Sequence, residues 1–208
     1  MTIKKLLIAN RGEIAIRIAR AAADLGVASV AVHSQDDEAS LHLRAAGEVQ
    51  ALPGKGPAAY LDIEAIIAAA RAAGCDAVHP GYGFLAERAD FARSCAEAGL
   101  TFVGPTPELL DLFGDKARAR KAAAAAGAPI MRGLDHATTL EEARAFFDSL
   151  NGGAMIIKAI AGGGGRGSRA VMEAGEIDAA YARCQSEARA AFGRDEPYVE
   201  AFIPRARP

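Results

Sequence analysis

The chain has 208 residues, 51% of them hydrophobic and 24% charged, with a net charge of -2. This is the composition of a globular protein able to fill one large or two small cores. It excludes bulk attraction to nucleic acid or to an anionic membrane.

Cys75, Cys95 and Cys184 are an odd, scattered set without metal-type spacing, so reduced thiols in a cytoplasmic protein are expected. The N-terminus lacks the long apolar core of a signal peptide, and no run approaches membrane-spanning length. Residues 6–9 read as a short apolar strand and Asn10-Arg11-Gly12-Glu13 as a turn. Ile14, Ile16, Ile18, Ala22 and Leu25 then punctuate a helix that stops at a C′ glycine, Gly26. Residues 27–33 form a second strand, and strand–helix–strand with short loops predicts a right-handed parallel unit. The turn holds one glycine and is no dinucleotide fingerprint, so Gly12 reads as structural.

Residues 36–46 predict a helix, 49–52 a strand and 53–57 a Pro/Gly loop. A helix over 62–73 repeats Ile63, Ile66, Ile67 and Ala70 at three-to-four spacing and ends at Gly74. A strand over 77–79, a helix over 91–98 and a strand over 101–103 follow. Five strands alternating with helices predict a parallel, doubly wound sheet, with any ligand at the carboxyl ends of its strands. One such end is His79-Pro80-Gly81-Tyr82-Gly83-Phe84. Its glycines would let backbone approach a ligand and its aromatics offer apolar faces, or the segment is a tight turn that sends aromatics into the core.

Asp115 is an N-cap for a helix over 115–126, with Gly127 and Pro129 as stop signals. Lys116 at a helix N-terminus opposes the dipole unless an anion sits there; otherwise it is a surface lysine. Residues 139–150 form an amphipathic helix with Glu141 and Glu142 in its first turn. Residues 155–160 then read as a buried strand carrying Lys158, followed by Gly162 to Gly165, Arg166 and Gly167, and by a second strand over 170–172. A glycine run is costly to order, but it offers unhindered N–H groups that can close over phosphate oxygens. Lys158 adds a compact charge and Arg166 a planar fork. This favours phosphate or nucleotide binding over a plain linker, although no P-loop is formed. A helix over 176–192 and a strand over 198–201 complete a second, smaller α+β unit, with the boundary between Phe113 and Arg132.

Taken together, Ile8-Ala9-Asn10-Arg11-Gly12-Glu13-Ile14-Ala15, Ala31-Val32-His33-Ser34, the run from His79 to Glu87, Phe102-Val103-Gly104-Pro105, Gly114-Asp115-Lys116 and the run from Ile156 to Gly167 resemble the biotin carboxylase family of ATP-grasp enzymes. The resemblance spans most of the chain in family order. It implies an α/β fold: an N-terminal doubly wound parallel sheet (pre-ATP-grasp, Rossmann-like) over 1–113, a linking helix over 114–131, and a smaller α+β ATP-grasp subdomain over 132–208 that stops before the C-lobe.

The implied reaction is activation of bicarbonate by ATP to carboxyphosphate, then carboxyl transfer to N1 of biotin on a carrier protein. By the same resemblance Lys116, Lys158, Gly162, Gly163, Gly164, Gly165, Arg166 and Gly167 bind nucleotide phosphates. Glu200 and Ile203 belong to the hinge that reads adenine through backbone groups, Tyr82 and Gly83 lie near the biotin and bicarbonate pocket, and Arg20 and Asp24 lie at a subunit interface. The Mg²⁺ ligands, the bicarbonate arginine and the catalytic acid/base groups are expected in sequence beyond Pro208, so no catalytic residue or metal ligand is expected within the chain, nor turnover by it alone. Ala201, Ile160-Ala161 and Ser168 depart from the family's usual lysine, Ser-Gly and methionine. Implied partners are a biotin carboxyl carrier, a carboxyltransferase component and a second copy in a homodimer. A different reading is a non-catalytic nucleotide-binding or dimerisation module derived from the family.

Overall fold

The computed structural model describes residues 2–160, 167–193 and 195–204. The chain forms two compact units, Met1–Asp111 and Leu112–Pro208. Among the described residues no helix is long and apolar enough to cross a membrane.

The first unit is built on β1 (Lys5–Ile8), β2 (Ala28–His33), β3 (Glu48–Ala51), β4 (Ala77–His79) and β5 (Thr101–Phe102). All neighbours pair in parallel, in the order β3-β2-β1-β4-β5. Alternation along β1 explains how both faces are covered. Leu6 and Ile8 join Ala15, Ile18, Ala19 and Ala22 of α1 (Gly12–Asp24). Leu7 and Ala9 point the other way, into a core with α2 (Gly56–Ala59), α3 (Ile63–Ala72) and α4 (Ala89–Glu97), through Ala59, Ile66, Ala70, Phe91 and Cys95. The sheet is therefore doubly wound. Its direction of growth reverses at β1 and β4, and a crevice opens beyond the carboxyl ends of those two strands.

The second unit begins within α5 (Pro107–Gly114) and continues through α6 (Lys116–Ala125) and α7 (Leu140–Ser149). A three-stranded antiparallel sheet, β6 (Met155–Ala159), β7 (Ser168–Val171) and β8 (Pro197–Ala201), runs in the order β7-β6-β8. One face, with Met155, Ile157, Val171 and Val199, packs on Phe146 of α7 and on Ile177, Tyr181 and Cys184 of α8 (Ile177–Phe192). Ile156, Lys158 and Glu200 therefore share the opposite face. The reciprocal bonds between Thr139 and Glu142 that begin α7 form a capping box.

The helix expected over 36–46 is absent, and only a 3₁₀ turn forms, Leu41–Arg44. The reason lies in its side chains. Asp36 accepts from Ser34 Oγ at 2.8 Å and from the Gly56 N–H at 2.7 Å, while Asp37 accepts from Arg11, Tyr60 and Ser40. Short acidic side chains spent in this way compete with helix formation. The loop expected over 53–57 tightens into α2 with Pro57 in its first turn. Helix α5, which carried no expectation, is opened by Pro107 with Glu108 in its first turn.

Candidate functional site

In the first unit, chemistry gathers at the crevice between β1 and β4. Asn10 follows β1 directly and is buried. Its amide Nδ2 donates to the carbonyls of Pro80 at 2.7 Å and Tyr82 at 2.8 Å, and its Oδ1 accepts from the Arg11 N–H at 2.9 Å. One side chain thus binds the loop after β4 to the turn after β1. Gly81 has a φ of +67°, and a Cβ there would lie 2.7 Å from Asn10 Nδ2. The glycine is required by the asparagine that grips it. Gly83 also has a positive φ, +64°, with open space where a Cβ would stand.

The two aromatics of this loop divide. Phe84 turns inward and stacks on Tyr60 with ring centroids 5.2 Å apart, and the Arg11 guanidinium lies over both rings. Tyr82 turns outward, 61% exposed, and its hydroxyl donates to Glu13 Oε1 at 2.5 Å. The hydrogen bond to Glu13 raises the Tyr82 phenol above its ordinary pKa. Asn10, Arg11 and Glu13 therefore hold three parts of one loop. His79 closes the strand end. Its Nδ1 accepts from the Gly81 N–H at 3.0 Å, so the neutral ring bears its proton on Nε2, and burial lowers its pKa. Beside Tyr82 a cavity of about 540 Å³ runs along α1, apolar at Ile14, Ile18 and Leu25 and polar where Glu13, His79 and Tyr82 meet it. Arg20 and Asp24 lie exposed on α1.

In the second unit, Lys158 and Glu200 sit diagonally across the β6–β8 pair, where Glu200 faces Ile156 and Lys158 faces Tyr198. The Lys158 ammonium donates to Glu200 Oε2 at 2.6 Å, and the Arg120 guanidinium of α6 donates to Glu200 Oε1, also at 2.6 Å. Burial and the Glu200 charge push the neighbouring Tyr198 phenol above its usual range, so it stays neutral. Asp115 caps α6 by accepting from the Arg118 N–H at 3.0 Å. The Lys116 ammonium reaches the carbonyls of Ala159 and Ile160, both at 3.4 Å. Lys116 and Lys158 are therefore brought to the same end of β6.

Gly167 is the described end of the glycine run. Its carbonyl accepts from the Ala159 N–H and from the Cys184 thiol, each at 2.9 Å. Gly162, Gly163, Gly164, Gly165 and Arg166 lie outside the described residues. Ile203 is 51% exposed beyond β8. The chain between β8 and Ile203 is held by the Phe202 N–H, which donates to Ala154 O at 2.8 Å.

Asn10, Arg11, Glu13 and Arg120 of these clusters carry no role in the sequence reading. The available signal is a short polar residue directly after a buried strand, facing a glycine in another strand-end loop. For Arg120 it is the spacing of four from Lys116, which places both on one face of α6.

A biotin carboxylase N-terminal domain model matches residues 2–110, and an ATP-binding domain model of the carbamoyl-phosphate synthase L chain matches residues 115–208. A pyruvate carboxylase of Bacillus subtilis is 52% identical over 204 residues, covering 97% of this chain and 18% of that protein. A biotin carboxylase of Pseudomonas aeruginosa is 46% identical over 207 residues, covering 99% of this chain and 46% of that protein. The crystal structure of a biotin carboxylase–βγ-ATP complex from Campylobacter jejuni superimposes with a TM-score of 0.92 at 40% identity, over 97% of this chain and 46% of that one. The chain thus spans less than half the length of these relatives. With the doubly wound sheet, the antiparallel ATP-grasp sheet and this match over nearly every residue, the chain belongs to the biotin carboxylase family and corresponds to its N-terminal portion.

Proposed function

We propose that this chain supplies the N-terminal sheet and the phosphate-gripping sheet of an ATP-dependent biotin carboxylase. In that reaction a bicarbonate oxygen attacks the γ-phosphorus of ATP and ADP leaves. The resulting carboxyphosphate delivers its carboxyl group to N1 of biotin on a carrier protein, with loss of the N1 proton and release of phosphate. A carboxyltransferase then uses the carboxybiotin, and the exposed α1 face with Arg20 and Asp24 meets a second copy.

The observation that carries this reading is the placement of two lysines from different elements near the end of β6 that leads into the glycine run: the Lys116 ammonium of α6 reaches the carbonyls of Ala159 and Ile160, and Lys158, the penultimate residue of β6, holds its ammonium on Glu200. Phosphoryl transfer draws mainly on positioning and charge neutralisation, to which two lysines contribute charge. In this reading Lys116, Lys158, Gly167 and the run from Gly162 to Arg166 hold phosphates. The backbone at Glu200 and Ile203 reads adenine. Tyr82 and Gly83 line the pocket for biotin and bicarbonate. Among the described residues no set of three His, Cys, Asp or Glu side chains converges to hold a metal. No step is assigned to a metal held by this chain.

Calorimetric titration of the chain with Mg-ATP tests the reading. Binding at millimolar concentration or tighter is expected, and it should be lost in Lys158→Ala while the melting profile is kept. No binding, or equal binding by the variant, contradicts it.

A further inference from the structure

Arg120 lies outside every role assigned above, yet its guanidinium bonds two other parts of the second unit. Its side chain is 13% exposed. One arm donates to Glu200 Oε1 at 2.6 Å and the other to the Met131 carbonyl at 2.6 Å. It thus joins α6, the segment leading to Gly133, and β8. Its buried Nε finds no hydrogen-bond partner, so the guanidinium holds this position at the expense of one donor. Gly133 makes the room: a Cβ there would lie 2.8 Å from Val199 O, 2.9 Å from Glu200 Cγ and 3.1 Å from Arg120 Nη2.

The carboxylate is thereby shared between two cations of unequal freedom. Arg120 is forked and buried, and cannot follow a ligand. Lys158 binds the other oxygen, and its side chain is 31% exposed against 10% for Glu200. Were Glu200 paired with Lys158 alone, the pair would be neutral and an arriving anion would have to break it. With Arg120 already on Oε1, the cluster has a net charge of +1 and the mobile cation is the lysine.

We propose that Arg120 is a positioning residue. By fixing and half-neutralising Glu200, it lets Lys158 exchange its carboxylate for an anionic phosphate of the ligand. The inference rests on the nucleotide reading above and adds to it a residue that touches no ligand.

Two measurements on the 208-residue chain test it. The first needs no ligand: the rate at which acetic anhydride acylates Lys158, read by peptide mass spectrometry. The expected order is Glu200→Gln fastest, wild type intermediate and Arg120→Met slowest, each step severalfold, because loss of the arginine tightens the remaining pair. A rate in Arg120→Met equal to or faster than wild type overturns the proposal. The second is a double-mutant cycle on Mg-ATP affinity. Arg120→Met should weaken binding about tenfold in the wild type and less than twofold in Glu200→Gln, because the arginine acts through that carboxylate. Equal losses in both backgrounds, or no loss in the wild type, overturn it. Arg120→Lys keeps the charge but not the fork to Met131, and should fall between wild type and Arg120→Met in both assays; it decides the matter if Arg120→Met fails to fold. A wild-type chain that binds no nucleotide refutes the nucleotide reading, and the acylation order then judges the arginine by itself.

Discussion

Replacing Asn10 by alanine should destabilise the first unit more than most single changes. The wild-type amide donates to Pro80 O at 2.7 Å and Tyr82 O at 2.8 Å, and accepts from the Arg11 N–H at 2.9 Å. Pro80 is buried, so its carbonyl would be left without a donor, at about 1–3 kcal/mol. The other two groups are reached more easily by water, and their loss adds about 0.5–1 kcal/mol each. The sum is about 3 kcal/mol. For a unit of this size that lowers the melting temperature by roughly 12–20 °C.

Thermal and urea melts followed by circular dichroism would measure it. Asn10→Asp sharpens the test, since its carboxylate keeps the Arg11 bond but faces two carbonyl acceptors. Its folded-state pKa should rise above the unfolded value. Stability is then present at low pH, where a protonated carboxyl can donate, and is lost as pH rises through the folded pKa. At pH 8 the Asp variant should be no more stable than the Ala variant, and it should recover part of the loss near pH 5 relative to Asn10→Ala. A loss below about 1 kcal/mol in Asn10→Ala would refute the idea that this amide organises the crevice.

Other expectations follow from the same geometry. Burial lowers the His79 pKa from 6.5, so the unfolded chain takes up the proton first. Its contribution to stability is complete above pH 6.5 and is lost as pH falls through the folded pKa; denaturant melts between pH 7 and 5 should show a flatter decline in His79→Gln. Exposed His136, raised by Asp135 and Glu142, works in the opposite sense in the second unit, and His136→Gln in the same background removes its share. Gly133→Ala places a methyl group against Val199 O and the buried Glu200, and should cost about 1–3 kcal/mol in a urea melt. Thr139→Ala removes half of the capping box of α7 and should cost about 1 kcal/mol by the same assay.

The framework was legible because its signals are local and periodic. Alternating strands and helices, glycine stops after α1 and α3, and the Asp115 cap place the sheet and most helices. Helix 36–46 misled because Asp36 and Asp37 look like first-turn acids; only the tertiary partners Arg11, Gly56 and Tyr60 reveal that they are already spent. The glycines after β4 read from sequence either as room for a ligand or as a tight turn, and nothing local shows that Gly81 makes room for Asn10, 71 positions earlier in the chain. Likewise, Lys158 reads from sequence as a phosphate lysine, but nothing local places Glu200 and Arg120 beside it. Such pairings depend on which strands become neighbours. No stretch of sequence records that by itself.

The most direct measurement of the central claim is lysine protection in the chain as it stands. Acetic anhydride labelling with and without Mg-ATP, read peptide by peptide, should show Lys116 and Lys158 both shielded by nucleotide, while Lys4, Lys55 and Lys121 label equally in both conditions. Equal labelling of Lys158 with and without saturating nucleotide would contradict the assignment of this end of β6 to the triphosphate.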